Sequence, residues 1–351
     1  MKRTSSFLLF ALLIMQSLNI SDISAEELPL PEFHSEVTLQ SEMYFGDDDT
    51  ISGYIVPDNK FVIRHAVIEA VGKLGNYIEY NMEIGSATCV GAGNQILLME
   101  AGLFIKPLDF LKAGIMKGHI MRGFELHDEC VHLITAEKPR FSFTFSPCHP
   151  TGLVIETDYD FTDAMGISAQ LAYLDGATGT FDDEHDINLG LTFRTPIEGL
   201  SFGGFYTDWQ QDFEFDGEPD NGLRTGFGFD MNKFDAHLRG EYYLGKGFYS
   251  NYENVSSKDL EMNAFYIEGA YTVKTGSNIF PYVQPYVMYQ SWDKASNVDG
   301  DYVYSYLTTG ISFGLGEYDA KLRIEYETPI SAPDDAPEEA RKLVIRIQGG
   351  I

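Results

Sequence analysis

Between positions 119 and 149 the chain crowds together His119, His127, Cys130, His132, Cys148 and His149, among Lys117, Arg122, Glu125, Asp128, Glu129, Lys138 and Arg140. Imidazoles and thiolates ligate metals, two thiols can pair, and guanidinium or ammonium groups attract anions. The spacing fits no recognised metal-ligand pattern, so no metal is expected there. A disulfide between Cys130 and Cys148 is the preferred expectation, because it would stiffen the stretch by limiting its entropy. Cys89 is left over, or competes as a partner. Nucleophile and cofactor motifs are lacking: there is no Gly-x-Ser-x-Gly, no phosphate-binding loop and no His-Glu-x-x-His, and Gly91-Ala92-Gly93 lacks the third glycine of a dinucleotide fingerprint. Neither an enzyme nor a cofactor is expected.

The elements that must position these groups read as strands. Ile78, Tyr80, Met82 and Ile84 alternate with Glu79, Asn81 and Glu83. Ala236, Leu238 and Tyr242 oppose Asp235, His237, Arg239 and Glu241, while Leu322, Ile324 and Tyr326 oppose Arg323, Glu325 and Glu327. Leu343, Ile345 and Ile347 oppose Arg346 and Gln348. A period of two with one apolar and one charged face is the mark of a strand whose faces meet different media. A soluble sandwich and a membrane barrel both satisfy it.

Loop lengths separate the two. Sixteen candidate strands begin near residues 36, 60, 76, 94, 108, 150, 164, 186, 199, 223, 234, 262, 279, 301, 318 and 342. Their connections alternate between short (72–75, 107–108, 161–163, 195–199, 232–233, 275–278, 316–317) and long (46–59, 86–93, 119–149, 175–185, 210–222, 245–261, 293–300, 328–341). Strict alternation over an even number of strands predicts an all-β, antiparallel up-and-down transmembrane barrel, with tight turns at one rim and long loops at the other. The third long loop, 119–149, is the longest.

Composition and the first residues agree with export to a membrane. Lys2 and Arg3 precede an apolar run from Phe7 to Met15, and Ser24-Ala25 precedes Glu26-Glu27, so residues 1–25 read as a signal peptide and residues 26–351 as the barrel. The apolar run is too short for a membrane-spanning helix. With 53 acidic against 24 basic residues and a net charge of −29, nucleic acid is excluded as a partner. Acid clusters at Asp47–Asp49, at Asp182–Glu184 with Asp186, and at Asp334-Asp335 with Glu338-Glu339 fall in the long loops. They are expected to be solvated charge; the functional alternative is divalent-ion bridging to lipopolysaccharide.

Several segments resemble the phosphate-selective porin O and P family of outer-membrane channels: Phe61 to Ala70 running into Gly72-Lys73-Leu74-Gly75, Ile78 to Glu83, Ala101 to Phe104 followed by Leu111 to Lys117, Leu126 to Pro139 with Gly152 to Val154, Pro285 to Asp293, and Leu322 to Tyr326 before Ile345 to Gln348. The resemblance covers most of residues 26–351. It implies a 16-stranded barrel, commonly a homotrimer in outer-membrane lipid and lipopolysaccharide, with the third outer loop folded into the lumen as a constriction. Arg122, His127, Asp128, Lys138 and Arg140 would then sit on the constriction loop, Lys138 and Arg140 nearest a passing anion. The family's phosphate selectivity rests on a basic ladder, and here the wall candidates mix signs: Arg239, Arg323 and Arg346 among Glu79, Glu83, Glu241, Glu325 and Glu327.

The expectation is therefore a porin of the bacterial outer membrane that passes small hydrophilic solutes or ions, with weak cation preference or none. The alternatives are a structural or adhesive barrel with little conductance and a soluble, exported β-rich binding protein.

Overall fold

The computed structural model describes residues 30–45, 50–51, 54–55, 60–87, 96–124, 133–145, 149–175, 185–211, 220–247, 259–300, 302–316, 320–333 and 341–350. The expected signal peptide, the clusters Asp47–Asp49, Asp182–Glu184, Asp334-Asp335 and Glu338-Glu339, and His127, Asp128, Cys89, Cys130 and Cys148 lie outside the described residues.

Sixteen long strands build the chain: β1 (Glu32–Phe45), β2 (Lys60–Leu74), β3 (Ile78–Ala87), β4 (Leu97–Leu108), β5 (Leu111–Lys117), β6 (Thr151–Thr162), β7 (Met165–Asp175), β8 (His185–Arg194), β9 (Leu200–Gln211), β10 (Asp220–Lys233), β11 (Ala236–Lys246), β12 (Glu261–Tyr271), β13 (Tyr282–Asp293), β14 (Val303–Leu315), β15 (Ala320–Ser331) and β16 (Arg341–Gly350). Each pairs antiparallel with the next, and β1 pairs with both β2 and β16, from Glu36↔Gly350 to Phe45↔Arg341, so the sheet closes on itself. Closure removes every open edge, which is what a β-sheet needs before lipid can surround it. Apart from β5, with 7 residues, the strands are long enough to cross a bilayer when tilted.

The two faces are those of a barrel turned inside out relative to a soluble core. Ile115 is 60% exposed, Leu189 50%, Phe227 64% and Ile347 51%, while Thr38, Gln40, Asn188, Thr207, Gln290 and Thr308 on the other face are buried. Apolar outside and polar inside is the order a lipid exterior and a wet interior impose. The soluble sandwich expected as an alternative would bury the apolar face instead.

Several turns shift by one to three residues from the sequence expectation, two of them for a local physical reason. The β10–β11 turn is Phe234-Asp235, both with positive φ (57° and 60°), not Asn232-Lys233, which continue the ladder as Asn232↔His237 and Lys233↔Ala236. Two left-handed residues in a row give the turn the twist of its flanking strands, and that geometry overrides the stronger turn propensity of asparagine. The β4–β5 turn is Asp109-Phe110 rather than Pro107-Leu108. Pro107 stays in the strand because the register shifts between Ile105 and Leu108, and a bulge tolerates a residue with no N–H to donate.

Candidate functional site

The long connection between β5 and β6 supplies the site. It leaves the ladder as a pair, Gly118 N–H donating to Pro150 O at 3.1 Å, and its described parts run along the polar face of the wall. Residues 121–124 meet β7, β8 and β11: Met121 N–H donates to Gln170 (2.8 Å), Asn188 Nδ2 donates to Met121 O (3.1 Å), and Phe124 N–H donates to Glu241 Oε1 (2.8 Å). Glu241 also accepts the hydroxyls of Tyr243 (2.8 Å) and Tyr266 (2.6 Å). Glycine makes this approach possible. Gly123 has φ +86°, and a Cβ there would stand 2.1 Å from Glu241 Oε1; a Cβ on Gly190 would stand 2.4 Å from Met121 O.

Residues 133–140 meet the opposite wall. Arg323 donates to Leu133 O (2.6 Å) and Thr135 O (3.3 Å), and Ala136 N–H donates to Glu325 Oε2 (2.6 Å). Glu137 gathers Arg64 and Lys342 and accepts from Gln40 at 2.9 Å. Arg140 donates its backbone N–H to Gln290 (2.7 Å) and its guanidinium to Glu327 (2.7 and 3.0 Å), with the cation 4.0 Å from the Tyr306 ring centre. A short helix, α1 (Ser142–Phe145), then presses Phe141 and Phe145 onto Tyr243 at 5.3 and 5.4 Å between ring centres. Buried charge is tolerable here because each group meets an opposite charge or a peptide dipole.

Arg122 is wholly buried. Burial pushes its guanidinium down to about 10 and the Asp186 carboxylate works against that shift, so Arg122 keeps its charge at neutral pH. Asp186 was expected among solvated loop acids; it is 2% exposed on β8, because it shares the inward face with Asn188 and lies close enough to act on the charge of buried Arg122. At the loop's end, burial pushes the His149 imidazole down to about 3, with the neighbouring His119 adding to that and Glu100 opposing it. On the short-turn side of the segment a cavity of about 360 Å³ is lined by Glu79, Lys106, Lys112, Met121, Glu156 and Gln170.

Comparison with solved structures gives the architecture a class. The anion-selective porin of Comamonas acidovorans superposes with a TM-score of 0.64 at 12% identity, over 92% of this chain and 99% of that one. The outer-membrane channel DcaP of Acinetobacter baumannii gives 0.61 at 11%, over 92% and 97%. The trimer form of OmpT, an outer-membrane protein of Vibrio cholerae, gives 0.58 at 12%, over 92% and 99%. The fold is that of the outer-membrane porins. No protein-family model matches the chain, and neither does any curated protein sequence.

Within this porin fold, Glu79, Glu83, Arg239, Glu241, Arg323, Glu325 and Arg346 all lie on the face opposite the exposed apolar one. Their neighbours show what sequence patterning missed. Arg323, Glu241, Glu325 and Glu327 hold the β5–β6 connection, and Arg346 donates to Gln40 at 2.7 Å. Arg239 pairs within the wall with Asp230, at 2.7 Å. Lys138 is half-buried in the anchored stretch. The anchors Gln40, Arg64, Gln290 and Lys342, and Glu137 within the connection, carried no local signal beyond their place on a polar face.

Proposed function

We propose that this chain is a passive outer-membrane porin for small hydrophilic solutes or ions, and that residues 118–150 form its constriction. The observation that carries the reading is the anchoring of Leu133–Phe145 to inward-facing side chains of β1, β13, β15 and β16. A segment fixed on the polar face narrows the interior while leaving the sheet closed. The fold shared with solved porins supports the same reading, as does the apolar exterior. By analogy with the trimer form of OmpT, the working unit is a homotrimer in lipid and lipopolysaccharide.

The resemblance to the porin O and P family is proposed to extend to architecture and not to phosphate selectivity. Arg140, Arg323 and Lys342 are held by Glu327, by loop carbonyls and by Glu137, so they form no open basic ladder, and the chain's excess of 53 acidic over 24 basic residues gives a weak cation preference. A disulfide between Cys130 and Cys148 would close the anchored segment on itself.

Single-channel recording of the refolded protein in a planar bilayer under a KCl gradient, with phosphate added as a blocker, tests this. A conducting channel with a cation-leaning reversal potential and no block supports it. Anion selectivity with phosphate block overturns the selectivity, and silence from protein with heat-modifiable migration overturns the channel.

A further inference from the structure

At the neck of the β5–β6 connection, three side chains from separate segments converge. His119 follows β5, His149 precedes β6, and Glu100 projects from β4 between them. Glu100 Oε1 is 2.7 Å from His119 Nδ1 and 3.7 Å from His149 Nε2, and the two imidazoles lie tilted at 58° with centres 4.5 Å apart. One ligand atom from each residue fits within a span of 4.8 Å. The side chains are 15%, 15% and 4% exposed for Glu100, His119 and His149. His119 Nε2 and His149 Nδ1 are buried with no hydrogen-bond partner among the described residues. These are the ring nitrogens other than the two that approach Glu100, so they call for water or another partner behind the site and are not the ligating atoms.

We propose that Glu100, His119 and His149 bind a divalent transition-metal ion of the zinc class, stapling both ends of the constriction segment to β4. Two imidazoles and one carboxylate suit zinc, whereas calcium and magnesium take oxygen donors. Tetrahedral zinc with bonds of about 2.0–2.1 Å spaces its donors roughly 3.3–3.4 Å apart. The separations of 2.7 and 3.7 Å from Glu100 bracket that value and the third lies within 4.8 Å, so the ion enters with donor shifts of up to about an ångström. Three protein ligands leave a fourth position for water or a passing solute. Glu83, paired across the ladder with Glu100, and His65, 3.8 Å from Glu83, stand behind the site. The histidine and cysteine spacing concealed it because the third ligand comes from a different strand, 19 residues before His119.

The test uses the full chain, refolded in detergent and stripped with chelator, and does not depend on conductance. Titration with ZnCl₂ is expected to show one equivalent bound, with affinity falling by about a hundredfold or more in Glu100→Gln and in His149→Asn. Heat-modifiable migration of each variant establishes that its barrel has folded. Substituting Co²⁺ is expected to give a tetrahedral visible spectrum without a thiolate charge-transfer band. Failure of the folded wild-type chain to bind zinc overturns the proposal. Undiminished binding in both variants, or a thiolate band, overturns it equally, by placing the ion on other histidines or on the cysteines.

Discussion

Arg140 and Glu327 meet across 187 residues of sequence, with Nε and Nη2 of one guanidinium both donating to Oε1 of one carboxylate, at 3.0 and 2.7 Å. The Glu327 side chain is 7% exposed and Arg140 30%. The pair therefore sits where a carboxylate without its partner is costly but the cation still touches water. Replacing Arg140 by Ala should weaken the anchoring of the segment by about 1–3 kcal/mol, below the range for a fully buried pair because Arg140 is partly solvated. Single-channel recordings of Arg140→Ala should show noisier current and a stronger cation preference. The swap Arg140→Glu with Glu327→Arg should restore quiet current, and no recovery would mean that the pair does not hold the segment.

Gly123 offers a sharper test of the opposite attachment. Its positive φ and the 2.1 Å approach of Glu241 Oε1 to a hypothetical Cβ leave no room for even a methyl group. Gly123→Ala should cost about 1–3 kcal/mol in backbone strain and displaced contacts. It should also break the Phe124–Glu241 bond and expose residues 121–124 to protease added outside the barrel. A cleavage pattern identical to wild type would contradict the anchoring.

How much of this was visible in the sequence follows from the range of each interaction. Every expected strand start falls within four residues of the observed one, because alternation and turn residues are local signals. Which wall a loop touches is not local. Glu325 and Ala136 are 189 residues apart, and nothing near either predicts that they bond. Arg323 and Arg346 read as solute contacts because a charge on a lumen face has two possible partners, an ion in transit or a loop folded against it. Only the closed register tells them apart. Asp186 was grouped with the acidic run Asp182–Glu184 that precedes it, but alternation places it with Asn188 on the inward face of β8, where the loop brings Arg122 against it.

The cysteines give a chemical prediction. If Cys130 and Cys148 pair, alkylation of the unreduced, denatured chain should label one thiol, and reduction should raise that to three, the total in the sequence. Cys89→Ser should then abolish labelling without reduction. Labelling of Cys130 under those conditions would remove the disulfide and leave the hydrogen bonds to Arg323, Glu325 and Glu327 as the restraint on the segment.

Ion preference set by fixed charge should fade as salt screens it. The screening length is about 10 Å at 0.1 M ionic strength and about 3 Å at 1 M. Carboxylates such as Glu79 and Glu156, which line the cavity on the short-turn side together with Lys106 and Lys112, act on a passing ion through water and should be screened. Glu325 and Glu327 are buried against the segment and should be screened much less. The reversal potential measured at a fixed KCl ratio should thus lean toward cations at low concentration and shrink toward zero near 1 M, leaving a small remainder. Glu156→Gln should reduce the low-salt preference and leave the remainder unchanged. A preference independent of salt would place the selecting charge in the buried anchors instead, and would predict that Glu327→Gln, rather than Glu156→Gln, removes it.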